Sequence, residues 1–101
     1  MRKYYVYILT NKTNNVLYIG VTNGLNYRIW EHRLKFSENS FAARYNLYKL
    51  VYFEVFTNIK KAIKREKQLK NWRRAWKIDL INEMNPKWID YFAEINISVR
   101  L

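Results

Sequence analysis

A chain of 101 residues with 19 Lys and Arg against 8 Asp and Glu has a formal net charge of +11 and favours a polyanionic partner, nucleic acid first and anionic membrane second. Half of its residues are hydrophobic and 18% are aromatic, which excludes disorder and gives a single domain a modest core without covalent staples. It has no cysteine, hence no disulfide framework or thiolate metal site, and no apolar run near the roughly 20 residues that cross a bilayer. The basic and apolar start, MRKYYVYIL, gives way at once to the polar TNKTNN with no small-residue cleavage site, so it does not read as a signal peptide, and a cytoplasmic setting fits.

Tyr4 to Leu9 is aromatic and β-branched, as strands are, and Asn11 to Asn15 supplies turn chemistry. Val16 to Thr22 returns as a second strand. Because side chains alternate along a strand, Tyr5, Tyr7 and Leu9 share one face, and Tyr18 and Gly20 share one. A strand glycine weakens a sheet unless something must approach its backbone closely. Asn23-Gly24 breaks the strand, and Leu25, Ile29 and His32 begin a helical period over about 25–36 that sets Arg28 and His32 on one helix face. A polar connector, Ser37 to Asn46, carries Phe41, Arg44 and Tyr45. Tyr48 to Phe56 is apolar on both faces and reads as a central strand, interrupted by Glu54, which must point outward or pair with a base.

Thr57 is a plausible N-cap, with Asn58 opening a helix over 58–72. Ile59, Ala62, Ile63, Glu66 and Leu69 fall on one stripe, which predicts the core-facing side of that helix. Nine basic residues lie between Asn58 and Ile78, and Glu66 is the one acid among them. A carboxylate in a core-facing stripe is costly without compensation. Periodicity leaves open an ion pair with Arg28 or Lys70, a place at the stripe's margin, or a functional site. After a break near Arg73-Arg74, Trp72, Trp76, Leu80 and Ile81 carry a further face over about 75–83, and helical spacing favours core roles for the two tryptophans over base-stacking ones. Asn85-Pro86 reads as an N-cap and first-turn proline opening a segment with Trp88 and Tyr91. One domain is expected over 1–92, with 93–101 an extra strand or a tail.

Tyr5-Val6-Tyr7, then Tyr18-Ile19-Gly20, then Arg28 and His32, and the run Ala62 to Trp72 together resemble the GIY-YIG nuclease domain. That domain is shared by certain homing and restriction endonucleases and by the incision subunit of bacterial excision repair. The resemblance runs from Tyr4 to about Asp90 and is closest to the small stand-alone branch. The second signature is intact, whereas Tyr5 stands where the family name has glycine. The pattern and the resemblance together imply an α+β fold: a three-stranded antiparallel sheet, 4–10, 16–22 and 48–56, flanked by helices on both sides.

The resemblance implies a metal-dependent endonuclease acting on nucleic acid, DNA ahead of RNA. Phosphodiester hydrolysis needs an activated water, charge neutralisation on the phosphoryl oxygens and help for the leaving oxygen. By resemblance Tyr18 is the general base or proton relay. A free phenol ionises only near pH 10, so this role calls for a nearby cation such as Arg28 or a metal-bound water. Tyr7 would sit beside Tyr18 and position the water or phosphate. Arg28 would grip the scissile phosphate, and His32, where some relatives have tyrosine, would orient the nucleophile. Glu66 would hold one Mg²⁺ or Mn²⁺ with several waters retained. An asparagine also assists in several relatives; Asn82 and Asn85 are both candidates and neither is assigned. One histidine, no cysteine and sparse acids fit other nuclease chemistries poorly. A monomer without membrane attachment is expected. The rival readings are a non-catalytic nucleic-acid-binding module on the same fold and an interaction domain for an acidic protein.

Overall fold

A computed structural model of the chain describes residues 2–24 and 46–91. The helix expected at 25–36, with Arg28 and His32, nearly all of the connector after it and the segment from 92 onward lie outside the described residues. Within them, Tyr4–Thr10 forms β1, Leu17–Thr22 forms β2 and Lys49–Phe56 forms β3. They make one antiparallel sheet in the order β2-β1-β3. Ile59–Asn71 and Arg74–Met84 form two helices, α1 and α2. The expected α+β fold with its three-stranded antiparallel sheet is therefore present.

The hairpin closes as its asparagines predict. Asn11 Oδ1 accepts from the backbone N–H groups of Asn15, at 3.0 Å, and Val16, at 3.2 Å, and Asn14 takes the left-handed backbone at φ 59°. Two distant cations pin the turn: Lys49 Nζ donates to Asn14 Oδ1 at 2.8 Å, and Arg74 Nη2 donates to the Asn15 carbonyl at 2.7 Å.

Alternation along β1 splits the core in two. Val6 and Ile8 face the helices, packing with Ile19, Tyr52, Ala62, Leu69 and Ile81. Tyr7 and Leu9 face the other way, with Leu47 and Leu50. The register between β1 and β3 shifts by one residue between Ile8 and Leu9, which makes Val51 the extra residue of a bulge. This is how Val51 and Tyr52, neighbours in sequence, both join the helix-facing cluster. The bulge also exposes a backbone carbonyl inside the protein: Val51 O accepts from Asn85 Nδ2 at 3.1 Å.

Four expectations are corrected. The central strand is β1 rather than β3; the apolar character of β3 on both faces reports two covered faces, not two paired edges. Asn58, not Thr57, caps α1: its extended backbone lets Oδ1 accept from Lys61 N at 3.1 Å. Asn85 ends α2 instead of opening a helix, its N–H bonding back to Ile81 O at 2.7 Å, and Pro86 follows where a helix can no longer continue. The buried line of α1 runs through Ala62 and Leu69, leaving Ile59 41% and Ile63 38% exposed. The physical reason lies on the flank toward β3, where Arg65 forks onto Glu54 through Nε and Nη2, both at 2.9 Å, and turns the helix that way.

Candidate active site beside strand β2

The register that pairs β1 with β2 sets Tyr7 opposite Gly20 and Leu9 opposite Tyr18. Tyr7 therefore lies diagonally from Tyr18 on the same face, with ring centroids 6.3 Å apart and ring planes tilted by 40°. The Tyr7 ring is buried and lies over Gly20, where an added Cβ would come within 2.5 Å of Tyr7 Cζ. The close approach that a strand glycine calls for is thus made by Tyr7 itself.

Tyr18 is half-buried and, with Leu17, Ile19, Lys70 and Lys77, lines a groove of about 350 Å³ along β2. Lys70 joins this groove to Glu66. The two stand one turn apart on α1, and Lys70 Nζ lies 3.5 Å from Glu66 Oε1. The Glu66 side chain is only 16% exposed, whereas that of Lys70 is 52% exposed. Of the partners left open for Glu66, Lys70 is paired with it, and Arg28 lies outside the described residues. Tyr7 and Tyr18 share the sheet face turned away from α1, and it is Lys70 that links the groove at the β2 edge, where Tyr18 lies, to Glu66 on α1. Lys70 entered the sequence reading as one possible partner of Glu66, whereas Lys77 entered it only as a member of a basic run, and no local spacing singles Lys77 out as a groove residue.

Glu66 is the candidate metal ligand among the described residues, and its carboxylate is paired with Lys70. Among the described residues no group of three or more His, Asp or Glu side chains converges, which rules a zinc-like cage out of that part of the chain. A single partly buried carboxylate, one turn from the groove-lining Lys70, would suit only an ion such as Mg²⁺ or Mn²⁺ that keeps several waters and takes further oxygens from a substrate phosphate.

On the other flank of α1, Glu54 is held in a closed network. Tyr52 Oη donates to Glu54 Oε2, Arg65 donates through its fork, and Arg65 Nη1 also donates to Gln68 Oε1 at 2.7 Å. Burial first, then the Glu54 carboxylate, raise the Tyr52 phenol above its ordinary range, and the bond to Glu54 raises the Arg65 guanidinium. The Arg65 guanidinium stacks over Trp72, 5.1 Å from the ring centroid. Glu54 thus pairs with a base, one of its two expected outcomes. Trp72 packs against the core, but Trp76 is 49% exposed, correcting the core role expected for it; it meets Trp72 edge to face and has the Arg73 guanidinium over its ring. Neither candidate asparagine is spare. Asn82 Oδ1 accepts from the Trp88 indole at 2.7 Å, and Asn85 is buried, bridging Val51 and Ile89.

A tyrosine-bearing hairpin, a glycine under one ring, and two helices that bring Lys70, with its partner Glu66, and Lys77 to the β2 edge match a GIY-YIG-type domain. The model of the GIY-YIG catalytic domain matches residues 3–79, and the chain belongs to that family. It is 40% identical to a UPF0213 protein of Clostridium perfringens over 92% of this chain and 98% of that one. It is 35% identical to a UPF0213 protein of Syntrophus aciditrophicus over 86% and 98%. Among solved structures it resembles the UPF0213 protein BH0048 of Bacillus halodurans, with a TM-score of 0.56 and 25% identity over 87% of this chain and 92% of that one. A GIY-YIG domain implies a nuclease-like function and contact with nucleic acid. Among the described residues no helix is long and apolar enough to cross a membrane.

Proposed function

We propose that this protein is a metal-dependent endonuclease that hydrolyses phosphodiester bonds in nucleic acid, DNA ahead of RNA, as a monomer in the cytoplasm. The observation that carries the reading is Tyr18 in a groove flanked by Lys70 and Lys77, with the Glu66 carboxylate paired to Lys70. The two ammonium groups attract a phosphate to the groove and offset charge that builds on its oxygens. Tyr18 takes or relays the proton of the attacking water. Tyr7, buried and wedged over Gly20, backs the Tyr18 ring, and its role in orienting the water or phosphate comes by family resemblance. Glu66 would hold one Mg²⁺ or Mn²⁺. When bound, the ion supplies positive charge to the phosphoryl oxygens and to the leaving 3′ oxygen. Lys70, more exposed than Glu66, is free to turn from the carboxylate toward a phosphate. Arg28 would add a forked grip on the scissile phosphate and His32 would orient the nucleophile, both by family resemblance.

The test is to incubate the pure protein with branched, single-stranded and duplex DNA and RNA, with Mg²⁺, with Mn²⁺ and with chelator. Cleavage that chelator stops supports the reading. Tight binding without cleavage of any substrate would favour the non-catalytic module, for which the Glu66–Lys70 pair would be a simple structural contact.

A further inference from the structure

The charge of α1 is divided between two sides. Lys70 lines the groove with Tyr18 and pairs with Glu66, and Arg65 is consumed by Glu54. With Ala62 and Leu69 buried, Lys61, Lys64, Gln68 and Asn71 form a row on the outer side, three or four residues apart, and Lys67 stands beside it. Together with Arg65 they line a second groove of about 400 Å³. Among the described residues no carboxylate pairs with Lys61, Lys64 or Lys67. Gln68 accepts from Arg65 through its oxygen, which leaves its NH₂ as the donating end. The groove therefore offers three ammonium groups and amide donors, with no acidic side chain among the described residues that line it, along about 15 Å of helix between Lys61 and Asn71, or roughly four nucleotide rises.

We propose that this outer groove of α1 seats backbone phosphates of the nucleic acid away from the point of scission, so that the protein holds its substrate at two places. This rests on the nuclease reading and extends it. Three lysines set one helical turn apart without acids suit a repeating anion, and they read phosphate rather than base, so the contact carries affinity and not sequence preference. A merely solvated face would treat its lysines like any others on the surface.

The experiment compares the triple variant Lys61→Gln, Lys64→Gln, Lys67→Gln with a control, Lys3→Gln, Lys12→Gln, Lys87→Gln, which removes the same charge from exposed positions elsewhere. Binding is read by fluorescence anisotropy in chelator over a salt series, on single-stranded and duplex probes from about 30 down to about 6 nucleotides. On long probes the groove variant is expected to lose about two to three from the slope of log affinity against log salt, and at least about tenfold in affinity at moderate salt. The control should lose less than about one unit of slope. On the shortest probes the groove variant and wild type should converge, and kcat on a short substrate should be unchanged. Lys64→Gln alone should lower the slope by about one, which keeps the test valid should the triple variant melt early. Equal losses in the groove variant and the control, or no length dependence of their difference, overturns the proposal while leaving the nuclease reading intact. Wild type that binds no nucleic acid overturns both.

Discussion

Gly20 has no side chain because Tyr7 occupies the place where one would stand. The register sets the two residues opposite each other, and both the strand backbone and the buried ring are fixed, so neither neighbour yields easily. Gly20→Ala should therefore cost about 1–3 kcal/mol by overpacking. In a domain of this size that is a fall in melting temperature of at least about 4 °C, and an unchanged thermal melt would show that the ring is free to move. The neighbouring tyrosine separates structure from chemistry. Tyr18 is half-buried at the groove, and Tyr18→Phe removes only a hydroxyl while keeping the ring that packs near Tyr7. Tyr18→Phe should bind substrate as wild type does and turn it over at least about a hundredfold more slowly, the usual loss when a general base is removed. Glu66→Ala breaks a pair whose lysine is half-exposed, so its effect on stability should stay below about 1 kcal/mol. Its effect on metal-dependent cleavage should be near-complete, and binding should be equal or tighter because one negative charge has left a basic helix. Both variants cutting at the wild-type rate would refute the site.

At the scale of elements, local periodicity made most of the fold legible. The three strands and the two described helices begin and end within a residue or two of where alternation, Asn-rich turns and the Arg73-Arg74 break set them. What stayed hidden depends on partners far away in sequence. Ile59 and Ile63 belong to the apolar stripe of α1, yet the Arg65–Glu54 fork, made across 11 residues, turns the helix so that Ala62 and Leu69 lead. Asn85 looked like a helix start because Pro86 follows it; only the bulge at Val51 shows why a buried asparagine is needed there. The Glu66–Lys70 pair was one of the outcomes the sequence left open, but the place of Lys77 beside Tyr18 was not legible, because it depends on how α2 meets the β2 edge. The Tyr52–Glu54–Arg65 network also gives α1 a pH response. The folded state raises the phenol of Tyr52 above its ordinary value near 10, so the protonated form carries the stabilisation. That contribution is complete below about pH 10 and is lost as pH climbs from there toward the raised value. The stability gap between wild type and Tyr52→Phe should thus be constant from neutrality to about pH 10 and then narrow. A gap that widens above pH 10 would mean that the phenolate, not the phenol, is favoured beside Glu54.

The whole molecule carries +11 in a body whose Cα radius of gyration is 13.1 Å. At about 0.01 M salt the screening length, roughly 30 Å, exceeds that radius, so the like charges all repel one another, whereas at about 0.15 M it falls to about 8 Å and only neighbours interact. Folding concentrates this charge, and repulsion within the folded state lowers stability. Two described ion pairs oppose the trend, Arg65–Glu54 and Lys70–Glu66, but screening weakens a forked, partly buried pair far less than it weakens long-range repulsion. Salt should therefore raise the melting temperature between about 0.01 and 0.15 M. The same salt should weaken nucleic-acid binding, because the nine cations between Asn58 and Ile78 release counterions from phosphates when they bind. With Arg65 held by Glu54 and Lys70 by Glu66 in the free protein, a log–log slope of about −4 to −6 is expected. Melting curves and anisotropy titrations in the same buffers check both signs at once. If salt lowered the melting temperature, the ion pairs would outweigh the net charge. If affinity were flat with salt, the basic helix would not be meeting phosphates.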